Sequence, residues 1–273
     1  MPSAPPPSSS AELSLRQAKL TYDGQVLFEK LDLILAKDQT CCLLGPSGVG
    51  KSSLLHLIAG LAEQAEGQVL FQGAPLRAGQ LAYMAQKDLL LPWLTVLQNS
   101  LLGPRLRGAD KAQLSNLRDQ AATLLSRLGL GDYLQALPKQ LSGGMRQRVA
   151  LARTLMEDRP LVLMDEPFSS LDAITRMDLQ DLAAETLAQK TVLLVTHDPL
   201  EALRLGHRIL ILLGRPARLL EIPPPPGRPA RDPAAPELLQ RQAELLKQLH
   251  KARHLSAGAP ASNAAAPKDG TSA

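Results

Sequence analysis

The chain has 273 residues, 45% of them hydrophobic and 21% charged, ample for one sizeable α/β domain with room for an inserted subdomain and with no need of two independent domains. Thirty lysines and arginines against 26 aspartates and glutamates leave a net charge of +4, spread along the chain, which is weak ground for nucleic acid and compatible with an anionic membrane surface. Nowhere do apolar residues run long enough to span a bilayer, and MPSAPPPSSS has no basic segment before an apolar run, so the expectation is a protein neither exported nor membrane-spanning by itself.

In chain order, residues 1–10 have a composition that buries no core and are expected to be disordered. From Leu13 to Leu35 apolar residues alternate around Asp23-Gly24, which predicts two antiparallel strands. Tyr22 stands just before that turn, where a tyrosine either packs on the strand or offers its ring to a purine; position alone leaves both open. Cys41, Cys42, Leu43 and Leu44 then form an apolar run that fits a strand buried on both faces. The two cysteines point to opposite faces of that strand and read as small buried hydrophobes in a reducing compartment.

Directly behind comes GPSGVGKSS, residues 45–53. Gly45, Gly48 and Gly50 supply the unusual dihedrals of a hard turn, and the backbone N–H groups of that turn, together with the start of the next helix, face one concavity. Such a loop cradles polyphosphate. Lys51 is placed to reach the β and γ phosphates as a point charge, and the Ser52 hydroxyl to sit on Mg²⁺. Because a buried strand precedes the loop and Leu54, Leu55, Leu57 and Ile58 continue a helix after it, the whole run of Gly45, Pro46, Ser47, Gly48, Val49, Gly50, Lys51, Ser52 and Ser53 is a candidate nucleotide site.

The helix is expected to end at Gly60, a short strand to run from Gly67 to Phe71, and Gly73-Ala74-Pro75 to turn the chain. LAYMAQ, residues 81–86, predicts another strand ending on Gln86. The apolar cluster Leu89, Leu90, Leu91 and Trp93, broken by Pro92, reads either as core or as an exposed patch that meets a partner. Leu114, Leu117, Ala121, Leu124, Leu125 and Leu128 recur at helical spacing over 110–128, stopping at Gly129; a short helical segment follows to Pro138. In LSGGMRQR, Ser142 precedes Gly143 and Gly144 at the start of a helix, which makes a second anion-binding position or simply a good N-cap.

LVLMDE, residues 161–166, is an apolar strand ending in two carboxylates, where an open α/β sheet places its ligand crevice. Asp165 would hold the metal through water and Glu166 would polarise an attacking water. Asp172 caps a helix expected to reach about Gln189. TVLLVTHD, residues 191–198, is a further buried strand with His197 at its carboxyl end, placed to contact a γ-phosphate. Beyond Pro223, PPPPGRP predicts an extended spacer, Glu237 to His254 regains a helical stripe through Leu238, Leu245, Leu246 and Leu249, and 255–273 is expected to be disordered.

Together these features resemble the nucleotide-binding subunit of an ABC transporter over about Leu13 to Ile222. Tyr22 falls at the adenine-stacking aromatic, GPSGVGKS at the phosphate loop, Gln86 at the Q-loop, LSGGM at the signature, LMDE at the metal and base pair, SLD at residues 170–172, and His197 at the switch histidine. Met145 replaces the commoner Gln, while Gln147 and Arg148 follow as usual. The resemblance implies a P-loop NTPase core with an N-terminal antiparallel β subdomain and an inserted helical subdomain at about 88–158, within a nucleotide-binding domain spanning 11–222. It implies ATP and Mg²⁺ as ligands, the metal held by Ser52, Gln86 and Asp165, and catalysis by Glu166, His197 and Gln86. It further implies a head-to-tail homodimer, in which Ser142, Gly143, Gly144 and Asp172 complete the partner's site.

The wording around Gln86, with LSGGMRQR and EPFSSLDA, looks like the nitrate, sulfonate and taurine importer group and its relatives that import thiamine-precursor pyrimidines, with a lean to the pyrimidine branch. The expected assembly lies peripherally on the cytoplasmic face of the bacterial inner membrane, with integral-membrane permease subunits and, through them, an extracytoplasmic solute-binding protein. Nucleic acid is not expected. A non-importing ATPase of exporter, cell-envelope or DNA-repair type is the alternative; against DNA repair, the stretch between Gln86 and Ser142 is too short for a long coiled coil.

Overall fold

The computed structural model describes residues 11–257 apart from positions 23 and 64. The turn residue Asp23 and the tails expected to be disordered, residues 1–10 and those beyond Ala257, lie outside the described residues.

The chain opens with β1 (Ala11–Tyr22) and β2 (Gln25–Ala36), then β3 (Thr40–Leu44), α1 (Lys51–Ile58), β4 (Ala65–Phe71), β5 (Ala74–Pro75) and β6 (Leu81–Met84). The next stretch is helical: α2 (Val96–Ser100), α3 (Leu102–Leu106), α4 (Lys111–Arg127) and α5 (Gly143–Leu155), with 3₁₀ turns at Gly131–Tyr133 and Pro138–Gln140 where one short helix was expected. Then come β7 (Leu161–Asp165), α6 (Ala173–Thr186), β8 (Thr191–Val195), α7 (Pro199–Leu205), β9 (Arg208–Leu213), β10 (Arg218–Ile222) and α8 (Pro236–Ala257). Helix α4 starts and stops as its residues dictate. Asp110 accepts from the Gln113 N–H in a capping box, and Gly129 takes a left-handed φ of 69° behind the last turn.

Two sheets form. Antiparallel strands run in the order β2-β1-β4-β5, so Ala74-Pro75 pairs with β4 instead of only turning the chain. The larger sheet runs β10-β9-β3-β8-β7-β6, all parallel except β10. Its central strand β3 is flanked by β9 and β8, the last parallel strands to be made, so the strand order reverses beside β3 and opens a crevice at the carboxyl ends.

The alternation of side chains along β3 divides the interior. Cys41 and Leu43 join a core shared with α1 and the antiparallel sheet, around Phe28, Leu54, Leu55 and Phe71; Cys42 and Leu44 face the opposite core, with residues from α5, α6 and α7. Both cysteines are free and buried, and burial pushes the Cys41 thiol up to about 12 and Cys42 well above the ordinary range, as inert small hydrophobes require. The segment after Pro223 is not detached from this core. Leu238 and Leu245 of α8 are each 1% exposed, and full burial of such a side chain contributes about 1.5–3 kcal/mol. Leu246, of the same stripe, stays 49% exposed.

Candidate functional site

Because β3, β6, β7 and β8 are parallel, the residues that follow them emerge at one edge. There the loop from Gly45 to Gly50 turns from β3 into α1. Gly45 has φ 155°, and a Cβ on it would lie 2.6 Å from the Leu212 carbonyl oxygen of β9, so no other residue fits. Gly50 has φ 107° at the N-cap of α1, and a Cβ there would press on Phe28. Lys51 is 7% exposed and its Nζ donates to the carbonyls of Gly45, at 2.9 Å, and Pro46, at 3.1 Å. Burial lowers its pKa, while Glu166 and Asp165 act to raise it.

At the end of β7, Asp165 is 3% exposed. Its Oδ1 is buried without a hydrogen-bond partner among the described residues. Burial, and with it the neighbouring Glu166 charge, raises its pKa; the Ser52 hydroxyl and the Lys51 ammonium oppose that rise. Ser52 and Asp165, 113 positions apart in the numbering, are thereby brought together across two neighbouring elements of the edge.

Glu166 follows in the left-handed region at φ 50°, a costly conformation for a non-glycine residue, held by its N–H to the Val195 carbonyl at 2.9 Å and by Ser169 Oγ donating to its carbonyl at 3.0 Å. That backbone aims the side chain at two others. Gln86 Nε2 donates to Glu166 Oε2 at 3.2 Å, and His197 Nδ1 lies 3.2 Å from the same oxygen. Three strand ends thus converge on one carboxylate oxygen, with His197 still 59% exposed.

Tyr22 is 65% exposed, so it does not pack into the core. With Ser53 and His56 of α1 it lines a hollow of about 420 Å³. Ser142 is the N-cap of α5, its Oγ accepting from the Met145 N–H at 3.2 Å, and it is exposed together with Gly143. Gly144 is half-buried, and a Cβ on it would come within 3.2 Å of the Ser170 carbonyl oxygen. Asp172 caps α6 by accepting from Thr175 N–H at 3.0 Å, and that hydrogen bond lowers its pKa. The Ser142 and Asp172 positions are not joined to the Glu166 cluster by any hydrogen bond among the described residues.

The loop after Gln86 divides the two readings of its apolar cluster. Leu89 and Trp93 are 60% and 69% exposed, whereas Leu90 and Leu91 are half-buried. Asn99, fully buried, holds the loop from below, its Nδ2 donating to the carbonyls of Leu91, Leu94 and Thr95 and its Oδ1 accepting from Leu91 N–H. Arg146 and Arg153 of α5 hold it from the side, through the Asp88 carboxylate and the carbonyls of Asp88 and Leu89. None of these three was singled out from the sequence; an arginine or asparagine on a helix looks like a solvated residue until the loop it clasps is placed beside it.

Residues 28–169 match the family model described as ABC transporter. An uncharacterised ABC transporter ATP-binding protein of Haemophilus influenzae is 42% identical over 86% of this chain and 97% of its own length. An aliphatic sulfonates import ATP-binding protein of Xanthomonas axonopodis pv. citri is 41% identical over 89% of this chain and 98% of its own length. Among solved structures, a bacterial ABC transporter cassette in dimeric form aligns with TM-score 0.65 at 29% identity over 73% of this chain and 93% of that one. An ATP-binding subunit of an ABC transporter aligns with TM-score 0.70 over 88% of this chain and 98% of that one; at 24% identity it speaks to the fold alone.

Proposed function

Because the chain belongs to the ABC transporter family as an ATP-binding subunit with ATPase activity, we propose that the edge built by Lys51, Gln86, Asp165, Glu166 and His197 hydrolyses ATP to ADP and phosphate and couples this to solute uptake through separate membrane subunits. The observation that carries the assignment is the convergence of Gln86 and His197 on Glu166 Oε2 beside the phosphate loop. With Oε2 held, Glu166 is oriented to take a proton from the water that attacks the γ-phosphorus. Lys51 exchanges its two carbonyl partners for the β and γ phosphates, a stronger charge-assisted contact. Tyr22 stacks on the adenine, the loop amides from Gly45 to Gly50 with Ser52 and Ser53 take the phosphates, and His197 reaches the γ-phosphate.

The residues fit Mg²⁺. Ser52 and Asp165, with the Gln86 carbonyl oxygen, form a hard-oxygen set with a single carboxylate, as suits an ion that keeps waters and shares phosphate ligands, and Asp165 has a buried oxygen to offer, acting through water. Bound there, the ion would neutralise charge on the phosphates and orient them.

Ser142, Gly143, Gly144 and Asp172 make no hydrogen bond to this cluster among the described residues, and Ser142, Gly143 and Asp172 are exposed at two helix starts, which supports a role in the partner's site of a head-to-tail homodimer. The helical subdomain is assigned to about 88–158 within a nucleotide-binding domain of 11–222, and the exposed Leu89 and Trp93 to the contact with an integral-membrane permease. On this reading the subunit sits peripherally at the cytoplasmic face, with an extracytoplasmic solute-binding protein delivering cargo to the permease. The sulfonate importer relative supports the import direction and favours a sulfonate-type cargo over the pyrimidine expected from the wording around Gln86.

Glu166→Gln tests the site. ATP binding should persist while steady-state hydrolysis falls ~10²–10⁴-fold, the contribution of a positioned base. The same variant should dimerise on ATP by light scattering, and adding Ser142→Arg should abolish that dimer. Turnover near the unmutated level sinks the base assignment, and equal dimerisation with Ser142→Arg folded removes Ser142 from the partner's site.

A further inference from the structure

Arg176, in the first turn of α6, ties together two loops that the proposed reaction uses in different ways. Its Nη2 donates to the Leu171 carbonyl at 2.8 Å, inside the loop that carries Ser170 and Asp172. Its Nη1 donates to Asp198 Oδ2 at 3.3 Å, and Asp198 is the residue directly after His197. Asp198 is itself fixed at three further points. Its Oδ1 accepts from the Leu200 N–H at 2.9 Å as the cap of α7, its N–H donates to Thr196 Oγ1 at 3.0 Å, and its carbonyl accepts from Ala202 N–H at 3.2 Å. A movement of His197 along the edge therefore drags a carboxylate that grips Arg176, and Arg176 grips the loop ending at Asp172. Leu171, the residue gripped, is 7% exposed, and the neighbouring Ser170 carbonyl lies so near the start of α5 that a Cβ on Gly144 would come within 3.2 Å of it, so the loop is closely flanked on that side.

Only a fork can do this. The guanidinium presents several donors in fixed directions, whereas an ammonium is a compact point charge on a flexible stem that cannot hold both acceptors in this geometry. Its third nitrogen, Nε, is buried without a partner among the described residues, a cost that the two bonds at the far end of the side chain must outweigh.

We propose that Arg176 is a positioning residue for ATP hydrolysis: it locks the Ser170–Asp172 loop, which serves the partner's site, to the His197 loop, which serves the site of its own copy, so that the two sites of the dimer fire in concert. The inference rests on the trans arrangement proposed above. Arg176 touches no substrate.

The test compares Arg176→Ala, Arg176→Lys and Asp198→Asn with unmutated full-length chain in its complex with the permease. The measurements are kcat, the KM for ATP, the Hill coefficient and the unfolding midpoint. A misplaced catalytic group costs ~10²-fold, so kcat should fall by about 10–100-fold in Arg176→Ala with KM nearly unchanged. The Hill coefficient should fall towards 1, and Arg176→Lys should fail to restore either quantity. A role in folding alone predicts instead that activity per folded subunit and cooperativity survive in Arg176→Ala, or that Arg176→Lys restores both; either result overturns the proposal. Should Arg176→Ala not fold, Arg176→Lys and Asp198→Asn carry the same readouts. The Glu166→Gln control separates the two layers: its normal turnover would overturn the site, whereas its silence beside normal kcat and cooperativity in the Arg176 variants overturns only the coupling.

Discussion

Asp165 and Glu201 are both buried carboxylates, 3% and 4% exposed, and each has one oxygen without a hydrogen-bond partner among the described residues. Burial raises both pKa values. They differ in what surrounds them. Asp165 ends a strand at the open edge, where the Ser52 hydroxyl and the Lys51 ammonium oppose the rise that burial and the Glu166 charge impose. Glu201 lies on α7 among Thr196, Gln180, Asp198 and Arg176, and its pKa is pushed up to about 8, so it is mostly protonated at neutral pH. Gln180 Nε2 donates to Glu201 Oε2 at 3.2 Å, Arg204 donates to Gln180, and Arg204 Nε reaches the Arg231 carbonyl at 2.9 Å. One carboxylate thus lies at the open edge beside the phosphate loop with a cation and a hydroxyl at hand, and the other is a mostly protonated member of a buried network that fastens the C-terminal segment. Equal burial does not mean equal chemistry; the neighbouring charges decide.

The largest expected effect breaks the first half of this pair. Asp165→Asn should lower ATPase activity by ~10–100-fold, the usual cost of losing a group that acts on a metal through water, and raise the Mg²⁺ concentration needed for half-maximal rate. An unchanged Mg²⁺ titration would remove Asp165 from the metal site. Next in size is Arg231→Ala, at the far end of the Glu201 network. Arg231 Nη1 donates to the carbonyls of Leu203, at 2.8 Å, and Gly206, at 2.9 Å, and its Nε to Pro226 at 3.1 Å. Stripping a donor from buried acceptors costs about 1–3 kcal/mol, so urea unfolding should shift by that amount with kcat little changed. A wild-type midpoint would show that the segment is not fastened there.

Smallest at neutral pH is Glu201→Gln. Its folded pKa, about 8, stands above the ordinary 4.5, so the native chain binds a proton that the unfolded chain has released between those values. The stability from Glu201 is therefore fully present below about 4.5 and lost as pH rises through about 8. Glu201→Gln removes the titration. The stability difference, variant minus unmutated, should grow as pH is raised through this window in chemical denaturation, while the ATPase rate stays near the unmutated one. A constant difference would mean that Glu201 is ionised in the folded chain.

How far the sequence could be read follows from how local each feature is. Strand, loop and helix from Thr40 to Ile58 are contiguous, and the caps Asp110, Ser142 and Asp172 act on N–H groups three residues away, so residue type and spacing reveal them. The strand ends at Asp165 and His197 were readable for the same reason. Local pattern does not distinguish the elements between Pro199 and Ile222, because β9 has the same unbroken apolar run as a short buried helix and carries no motif. The tail read as a spacer because prolines exclude regular structure, and the sequence alone does not show that Arg231 will find buried carbonyls.

By itself, then, the sequence determined the phosphate loop, the periodic helices and the polar residues that end buried strands, since each is set by sterics and hydrogen bonding within a few residues. Only the tertiary structure decided that Gln86 and His197 share one oxygen of Glu166, that Arg176 bridges Leu171 and Asp198, and that Glu201 is buried within a polar network while Asp165 lies beside the phosphate loop. Gln86 and Glu166 are 80 residues apart, and what brings them together is the parallel order β3-β8-β7-β6, which sends every strand's carboxyl end to one edge. That order comes from burying both faces of the sheet at once, a requirement on the whole chain that no short window of residues contains.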